Sequence, residues 1–395
     1  MNTRRYFMRH CVAGGSAIAA GGLLTACGGG DGSTEPTTPV APPANSGGIP
    51  ATPGNPGTSN AADEWRMPDE AEAHKATWMA YGASSAVWSN AQVPKVQLAL
   101  ARIANAIAAY EPVNMLVRPA EIVSARQLLD ARVKLIPAEM NDLWVRDTGP
   151  VFVRKPNGER AGVKFSFNGW GKKQQFDLDG KVADVVCAQA QVPMLSTPMV
   201  LEGGALEVDG KGTAIITESC VLNNNRNPGW SKADCEAELR RLLGVRKVIW
   251  LPGIKNRDIT DAHTDFYARF VRPGVVVAHL EMSTDSYDYA LTRQHLEILR
   301  SATDADNQPL QIIVVDGPEQ IRPGNNPNTF AAGYINYYAT SSAIFLPEFG
   351  DAKADANAMA LYAKLYPGRA VVSINIDPIA AGGGGIHCTT QQEIA

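Results

Sequence analysis

Apolar side chains recur at helical spacing near the start of the part of the chain that we expect to fold. Val96, Leu100, Ile103 and Ile107 follow one another at intervals of four, three and four residues. This spacing places them on one face of a helix, with polar residues on the opposite face. The pattern therefore predicts an amphipathic helix that packs against a core.

A second helix is predicted by the stretch SKADCEAELRRLLG, which begins at Ser231. Ser231 can cap the first turn, Asp234 follows three residues later, and Gly244 can end the helix. The apolar run VRKVIWLPG, rich in β-branched residues, comes directly after it. Helix and strand therefore alternate along the chain, which favours an α/β fold.

Five times along the chain, a polar or turn-rich cluster adjoins an apolar, strand-like run. The clusters are centred on Trp78, Asp147, Glu202, His263 and Asn336. They lie roughly 50 to 75 residues apart, and Cys388 follows the last of them at a similar distance. No sequence identity links these stretches. The spacing predicts a few similar supersecondary units around a centre, each presenting its polar end to one site.

The first 26 residues have the pattern of an export signal. The run TRRYFMR carries the pair Arg4 and Arg5, and the apolar stretch after it is shorter than the roughly 20 residues of a membrane span. Together they resemble a twin-arginine signal. The stretch LLTAC resembles a lipobox, in which Cys27 is lipidated. The sequence therefore predicts an exported, periplasmic lipoprotein, anchored to a membrane through Cys27.

Residues 27–63 are rich in Gly, Pro, Ser and Thr and contain almost no large apolar side chain. Such a segment buries too little surface to offset the entropy of ordering, so we expect a disordered tether. Residues 64–395 are expected to form a single catalytic domain. The oligomeric state stays open, a homo-oligomer included.

The composition is typical of a globular protein with a substantial core: 45% of the 395 residues are hydrophobic and 19% are charged. The formal net charge is −4, and the sequence contains no run of lysine or arginine. Nucleic-acid binding requires a basic excess that neutralises phosphates. Nucleic acid is therefore not expected as a partner.

Four cysteines follow the predicted tether: Cys187, Cys220, Cys235 and Cys388. Exported proteins often form disulfides, but the spacing of these cysteines is irregular and the chain is long enough to build a core. The sequence leaves open whether they pair.

Ionisable side chains in the polar clusters are candidates for a reaction site. The set, with one aromatic neighbour, comprises Trp144, Asp147, Glu202, Asp261, His263 and Asp265. In an extended segment, Asp261, His263 and Asp265 would point to the same side, because they alternate along the chain. Structural alternatives exist for single members: Glu202 can pair with Arg146, and His263 can be a hydrogen-bonded core histidine.

A metal site is not expected. Only His263 and His387 lie near these motifs, so a zinc site would need carboxylates or Cys388 as further ligands. The sequence contains neither HExxH nor paired CxxC. We expect no metal and no cofactor.

Cysteine, histidine and several carboxylates together suit covalent catalysis on a cationic substrate. His263, oriented by Glu202, can set the protonation of a Cys388 thiolate. Asp147 and Asp265 would repel a thiolate unless the substrate brings positive charge. A guanidinium does so, and its planar fork of N–H donors matches two carboxylates. The residues therefore indicate displacement of ammonia from a guanidinium.

Seven motifs stand out between about residue 67 and the C-terminus: WVRDTGP, LEGGALEVDGKGT, CVLNNNRNP, TDAHTDFYARFVRPG, NYY, FLPEFGD and GGGGIHCTTQQ. They resemble the agmatine deiminase family of bacteria and plants and its relative, the Porphyromonas-type peptidylarginine deiminase, in the pentein superfamily of guanidino-group-modifying enzymes. The resemblance implies a five-bladed α/β propeller of ββαβ units with pseudo-fivefold symmetry.

The resemblance also implies roles for individual side chains. Cys388 is expected as the nucleophile, His263 as the general acid and base, and Glu202 as the partner that orients His263. The guanidinium clamp and the wall of the site are expected from Asp147, Asp265 and Trp144. The implied reaction converts agmatine to N-carbamoylputrescine and ammonia through a covalent thiouronium on Cys388, a hydrolase step of polyamine metabolism that leads to putrescine.

Departures from the family pattern affect the pocket for the far end of the substrate. Ala71, for example, stands where the family usually has tryptophan. Arginine in peptides is an alternative substrate, because an exported enzyme would meet peptides readily. Free arginine stays open, and amidino transfer to an amine is a further alternative. From another class of function, the protein could be an exported polyamine- or guanidine-binding lipoprotein without turnover, which would have no use for a nucleophile.

Overall fold

The computed structural model describes residues 64–327 and 329–395, and the predicted signal and tether lie outside the described residues. In chain order, the strands β1 to β16 are His74–Ala80, Val113–Val117, Val133–Pro137, Val151–Arg154, Arg160–Lys164, Met194–Ser196, Leu206–Val208, Thr213–Thr217, Lys247–Leu251, Ala268–Arg272, Val275–Leu280, Gln311–Asp316, Tyr338–Ala339, Ala343–Glu348, Ala370–Asn375 and Gln391–Ile394. The helical segments α1 to α10 are Val93–Ile107, Ile122–Leu128, Val145–Thr148, Gly169–Lys172, Val182–Ala190, Glu218–Val221, Lys232–Leu243, Asp288–Ser301, Ala352–Leu365 and Asp377–Ala380.

Both helices predicted from the sequence are present. In α1, all four residues of the predicted apolar stripe are buried. At the start of α7, the Ser231 hydroxyl accepts a hydrogen bond from the Asp234 backbone N–H at 3.2 Å. Gly244 ends α7 in the left-handed conformation, with φ of +69°. The strand predicted after this helix is β9.

Four of the five sheets formed by residues 64–327 and 329–395 share one topology. Their strand orders are β4-β5-β6, β7-β8-β9, β10-β11-β12 and β13-β14-β15. In each, the first two strands pair antiparallel and the second and third pair in parallel. A parallel pair needs a crossover connection, which α5, α7, α8 and α9 supply in turn. Each sheet with its helix is therefore a ββαβ unit.

The fifth sheet joins the beginning and the end of the described chain. Its strand order is β16-β1-β2-β3. Strand β16 pairs antiparallel with β1, where Gln391 lies opposite Trp78, and β1 pairs in parallel with β2. This unit takes its first strand from the C-terminal region, and that pairing closes the ring. The predicted five-bladed α/β propeller is confirmed.

Neighbouring units share their cores. One apolar cluster contains Ile215 of β8, Leu251 of β9, Phe270 of β10, Val276 of β11 and Leu299 of α8. These buried side chains join two consecutive sheets to the helix that covers the second. Because close-packed interiors have low compressibility, this shared core holds the strand ends of the two adjacent units in a fixed relation to one another.

Candidate active site

Five buried side chains occupy equivalent places in the five units, each shortly before the first strand of its sheet. They are Asp147 before β4, Glu202 before β7, His263 before β10, Asn336 before β13 and Cys388 before β16. The sequence pattern places Trp78 first in this series, but Trp78 lies within β1, the second strand of its unit. Cys388 fills the corresponding place, because the ring closes through β16.

The thiol of Cys388 lies between an amide and a carboxylate. The Asn336 side chain donates from Nδ2 to Cys388 Sγ at 3.4 Å, and its Oδ1 accepts the Cys388 backbone N–H at 3.4 Å. Asp265 Oδ2 lies 3.5 Å from Sγ. Amide donation to sulfur favours the thiolate, whereas the carboxylate opposes it unless a cation lies nearby.

The glycines before Cys388 permit close approach of the backbone to neighbouring groups. A methyl group on Gly384 would lie 2.2 Å from Trp144 Cζ3, and one on Gly385 would lie 2.3 Å from Asn336 Oδ1. Gly383 has a backbone φ of +91°, a value that residues with a Cβ rarely adopt. The glycines therefore allow the nucleophile loop, residues 382–388, to lie directly against the tryptophan and the amide.

His263 is oriented by a buried ion-pair chain. Its Nε2 lies 3.2 Å from Glu202 Oε2, and Arg226 donates from Nε to Glu202 Oε1 at 2.7 Å. Burial would raise the pKa of Glu202, but the Arg226 guanidinium outweighs burial and lowers the pKa. Burial would likewise lower the pKa of His263, but the Asp147 carboxylate and the bond to Glu202 outweigh it and raise the pKa. His263 is thus suited to donate a proton near neutral pH.

The turn before His263 is strained. Asp261 and Ala262 have φ of +61° and +76°, a region that costs about 1–2 kcal/mol per residue for side chains with a Cβ. Ion pairs from Asp261 to Arg226 at 3.0 Å and to Lys173 at 2.7 Å hold the turn. The segment is therefore not extended, so the condition under which Asp261, His263 and Asp265 would point to the same side is not met. Asp261 faces Arg226 and Lys173, and a 3-10 turn follows His263.

Asp147, Asp265 and His263 converge on Gly204. A methyl group on Gly204 would lie 2.7 Å from His263 Nδ1, 2.9 Å from Asp147 Oδ1 and 3.2 Å from Asp265 Oδ2. Asp147 accepts hydrogen bonds from the Gly204 backbone N–H and from Trp170 Nε1, each at 3.0 Å. Burial raises the pKa of Asp147, the charge of His263 opposes that rise, and the neighbouring Glu202 and Asp265 add to it.

A cleft with aromatic walls opens onto this cluster. Its lining residues are Trp144, Asp147, Trp170, Asp258, Ile259, Thr260, His263, Phe266, Gly383, Gly384 and Cys388. The predicted wall residue Trp144 donates from Nε1 to Asp142 Oδ2 at 2.9 Å, which fixes its indole. The structure therefore brings together every side chain predicted for catalysis and substrate binding, while their roles stay predictions.

Several residues of the site are not found by sequence reasoning. Asn336 is the centre of the fifth polar cluster, yet nothing local indicates contact with a thiol. Trp170 lies in the stretch FNGWGKK, and Arg226 lies in the motif CVLNNNRNP. A buried arginine between two carboxylates is visible only in the tertiary structure, where Glu202 pairs with Arg226. The structure pairs Arg146 instead with Glu70 at 3.0 Å.

All four cysteines in the described residues are buried, and Cys187, Cys220 and Cys235 are free thiols. Across residues 64–327 and 329–395, the structure groups no three His, Cys, Asp or Glu side chains in a way that could hold a metal ion. Within the same ranges, every helix is too short or too polar to cross a bilayer.

Known proteins resemble this chain over nearly all of the propeller. A family model described as Porphyromonas-type peptidyl-arginine deiminase matches residues 66–393. A Streptomyces coelicolor protein provisionally named an agmatine deiminase is 39% identical over 83% of this chain and 98% of its own length. An agmatine deiminase of Medicago truncatula is 35% identical over 84% of this chain and 96% of its own length.

The solved structure of an agmatine deiminase of Enterococcus faecalis superimposes on this chain with a TM-score of 0.80 at 31% identity. The superposition covers 86% of this chain and 98% of that structure. The sequence match, the fold and the resemblance predicted from the motifs therefore agree, and the chain belongs to the Porphyromonas-type peptidyl-arginine deiminase family.

Proposed function

We propose that the protein hydrolyses the guanidino group of agmatine to give N-carbamoylputrescine and ammonia. The observation that carries the proposal is the convergence of a thiol, a histidine with a raised pKa and a carboxylate in one cleft with aromatic walls. Agmatine deiminase is also the name of the similar proteins from M. truncatula and E. faecalis. The enzyme is therefore a hydrolase that acts on the carbon–nitrogen bonds of an amidine.

The first half of the reaction forms a covalent intermediate. The Cys388 thiolate attacks the guanidino carbon, whose positive charge Asp147 and Asp265 hold in place. His263 donates its proton to the departing nitrogen, ammonia leaves, and a thiouronium stays on sulfur. The hydrogen bond from Asn336 Nδ2 to Sγ supports the thiolate before attack.

The second half releases the product. His263, now neutral, accepts a proton from a water molecule, which attacks the thiouronium carbon. The hydroxyl of the resulting tetrahedral carbon gives its proton to solvent as the carbon–sulfur bond breaks, so N-carbamoylputrescine leaves, the thiolate returns and His263 is protonated again. Because Glu202 accepts from the imidazole, it stabilises the protonated His263 formed in this step.

The cleft favours agmatine over free arginine. Its lining contains the carboxylate of Asp258 and, among the described residues, neither lysine nor arginine. The ammonium end of agmatine is compatible with that charge. The α-carboxylate of free arginine would lie in an acidic cleft without a basic partner, which costs free energy.

The test compares ammonia release from agmatine, free arginine and a short arginyl peptide under reducing conditions. We expect release from agmatine, and we expect Cys388→Ser to abolish it while the melting temperature stays within a few degrees. Release by the Cys388→Ser variant at the wild-type rate would rule out the thiolate mechanism. If ammonia is released from the peptide alone, the substrate is peptidyl arginine and not agmatine.

We also propose that the enzyme is exported and anchored to the membrane through a lipid on Cys27. The support is the sequence alone: the pair Arg4 and Arg5, the short apolar stretch and the motif LLTAC. The test is incorporation of a radiolabelled fatty acid into the full chain in bacterial cells. Cys27→Ser should remove the label and move the protein to the soluble fraction, and labelling that persists in this variant would refute the anchor.

A further inference from the structure

A second charged cluster lies beneath the nucleophile loop. Glu70, in the segment before β1, pairs with Arg146 Nη2 at 3.0 Å, Arg269 Nη2 at 2.9 Å and His387 Nε2 at 2.8 Å. Burial would raise the pKa of Glu70, but Arg269 and His387 outweigh it and hold the pKa well below its ordinary value. Glu70 is therefore a fixed negative charge beside His387.

His387 connects this cluster to the reaction site. Its Nε2 faces Glu70 Oε2 at 2.8 Å, and its Nδ1 faces Asp265 Oδ2 at 2.9 Å. Both ring nitrogens face carboxylate oxygens. Both contacts can be hydrogen bonds only if both ring nitrogens carry a proton, or if one carboxyl group is protonated and donates to an unprotonated ring nitrogen. In each case one proton offsets one negative charge of the pair.

The other charged groups around His387 fit the same arrangement. Glu207 Oε1 lies 4.0 Å from Nε2, and Arg146 Nε donates to the His387 backbone carbonyl at 3.2 Å. Arg269 pairs with both Glu207 and Glu70. The basic groups Arg146 and Arg269 lie on the side of Glu70. Asp265 faces His387 at 2.9 Å and the thiol of Cys388 at 3.5 Å, and its charge also acts on His263.

We propose that Glu70 and His387 are positioning residues, which form a carboxylate–imidazole–carboxylate chain that orients Asp265 and offsets its charge beside the Cys388 thiolate. The inference rests on the proposed function, in which a thiolate and Asp265 must coexist. In the structure the Cys388 thiol donates to Asp265 Oδ2 at 3.5 Å, and the chain lowers the cost of ionising that thiol before a cationic substrate enters. It also gives the histidine that precedes the nucleophile a role separate from that of His263.

The experiment measures the alkylation of Cys388 by iodoacetamide as a function of pH, read by mass spectrometry of the peptide that contains it. His387→Gln should move the midpoint upward by about one pH unit, as expected when the proton that offsets the charge of Asp265 is lost. The alkylation rate below both midpoints should fall about tenfold. Glu70→Gln should move the midpoint in the same direction by less, because it only weakens the support of the imidazole.

Two further variants serve as controls. His295→Gln removes a buried histidine that bonds the Pro252 carbonyl and contacts none of these groups, so its midpoint should match that of the wild type. Adding Asp265→Asn to His387→Gln should return the midpoint towards the wild-type value, because the charge that needs offsetting is gone. Rescue of this kind would not occur if His387 only stabilised the fold.

Unchanged midpoints in folded His387→Gln and Glu70→Gln proteins would overturn the inference. Failure of both variants to fold, shown by circular dichroism, would also count against it and assign the pair to the stability of the core. Alkylation needs no turnover. Absence of ammonia release from agmatine by the wild-type protein would therefore refute the proposed function, while the alkylation midpoints would still judge the role of His387.

Discussion

Replacing Arg226 with methionine removes a guanidinium that lies between two buried carboxylates. Arg226 donates to Glu202 at 2.7 Å and to Asp261 at 3.0 Å, and the side chains of Arg226 and Glu202 have no exposed surface. Coulomb's law with an effective dielectric constant of ~20 gives about 6 kcal/mol for unit charges at the shorter distance. The cost of burying the charges opposes that attraction, and breaking such a pair typically costs about 3–5 kcal/mol.

The loss should depend on pH in a defined direction. In the wild-type protein the pKa of Glu202 is lowered from 4.5, so its charge contributes stability above that pH, and the contribution is lost as pH falls through the folded pKa. In the variant, burial without the guanidinium raises the pKa of Glu202, so the penalty grows as pH rises. Arg226→Met should therefore destabilise the protein more at pH 7 than at pH 4.5.

The assay is urea unfolding followed by circular dichroism at both pH values, with the free energy of unfolding taken from linear extrapolation. Lys173→Met is the matched control, because Lys173 also pairs with Asp261 but its side chain is 24% exposed. We expect about 1 kcal/mol or less for this partly exposed pair. A loss below 1 kcal/mol for Arg226→Met, or an equal loss at both pH values, would refute the reasoning.

Three further predictions follow from the geometry of the site. Gly204→Ala should reduce kcat/KM for agmatine by at least about a hundredfold, because the added methyl group would lie 2.7 Å from His263 Nδ1. Burial is the main cause that raises the pKa of Asp147, so as the pH falls Asp147 should become protonated at a higher pH than an exposed aspartate would. Substrate binding should weaken at that pH, which the acidic limb of the pH profile of kcat/KM would show. Burial raises the pKa of Cys187 to about 12 and that of Cys235 to about 11, so neither should be alkylated by iodoacetamide at pH 8 in the folded protein.

Each of these predictions has a control. Gly180→Ala adds a methyl group with no atom within 4 Å and should leave kcat/KM unchanged. Asp147→Asn should remove the acidic limb of the kcat/KM profile together with most of the substrate binding. If the variant keeps the same limb, the titration belongs to another group. Alkylation of Cys187 before Cys388 would contradict the effect of burial on the thiols.

Local patterns predict the elements that depend on local chemistry. The apolar stripe of α1 and the cap of Ser231 on α7 are both present, because helical periodicity and capping act within a few residues. The motifs also predict residues that the fold brings together, since Cys388, His263 and Glu202 all occupy equivalent positions in their units. Periodicity does not indicate which of the many aspartates and glutamates lie in one site. The resemblance to a family supplies that assignment.

Contacts between distant segments are not visible in local patterns. The direction of Asp261 depends on ion pairs with Arg226 and Lys173, which hold a turn that the residue alternation does not predict. Glu70 reaches His387 across the whole length of the domain sequence. Such pairs depend on where the ring brings the units together, and no spacing rule relates their positions.

Closure of the ring has a consequence for the order of events during synthesis. Because β1 pairs with β16, the first unit cannot be completed until residues 391–394 have emerged from the ribosome. Long-range strand pairing also slows folding. Four units can assemble while the chain is still growing, but the nucleophile reaches Asn336 and Asp265 only when β16 is in place. A nascent or truncated chain that lacks this strand would therefore lack a complete reaction centre. An assembled site thus indicates that the chain has been translated at least through β16.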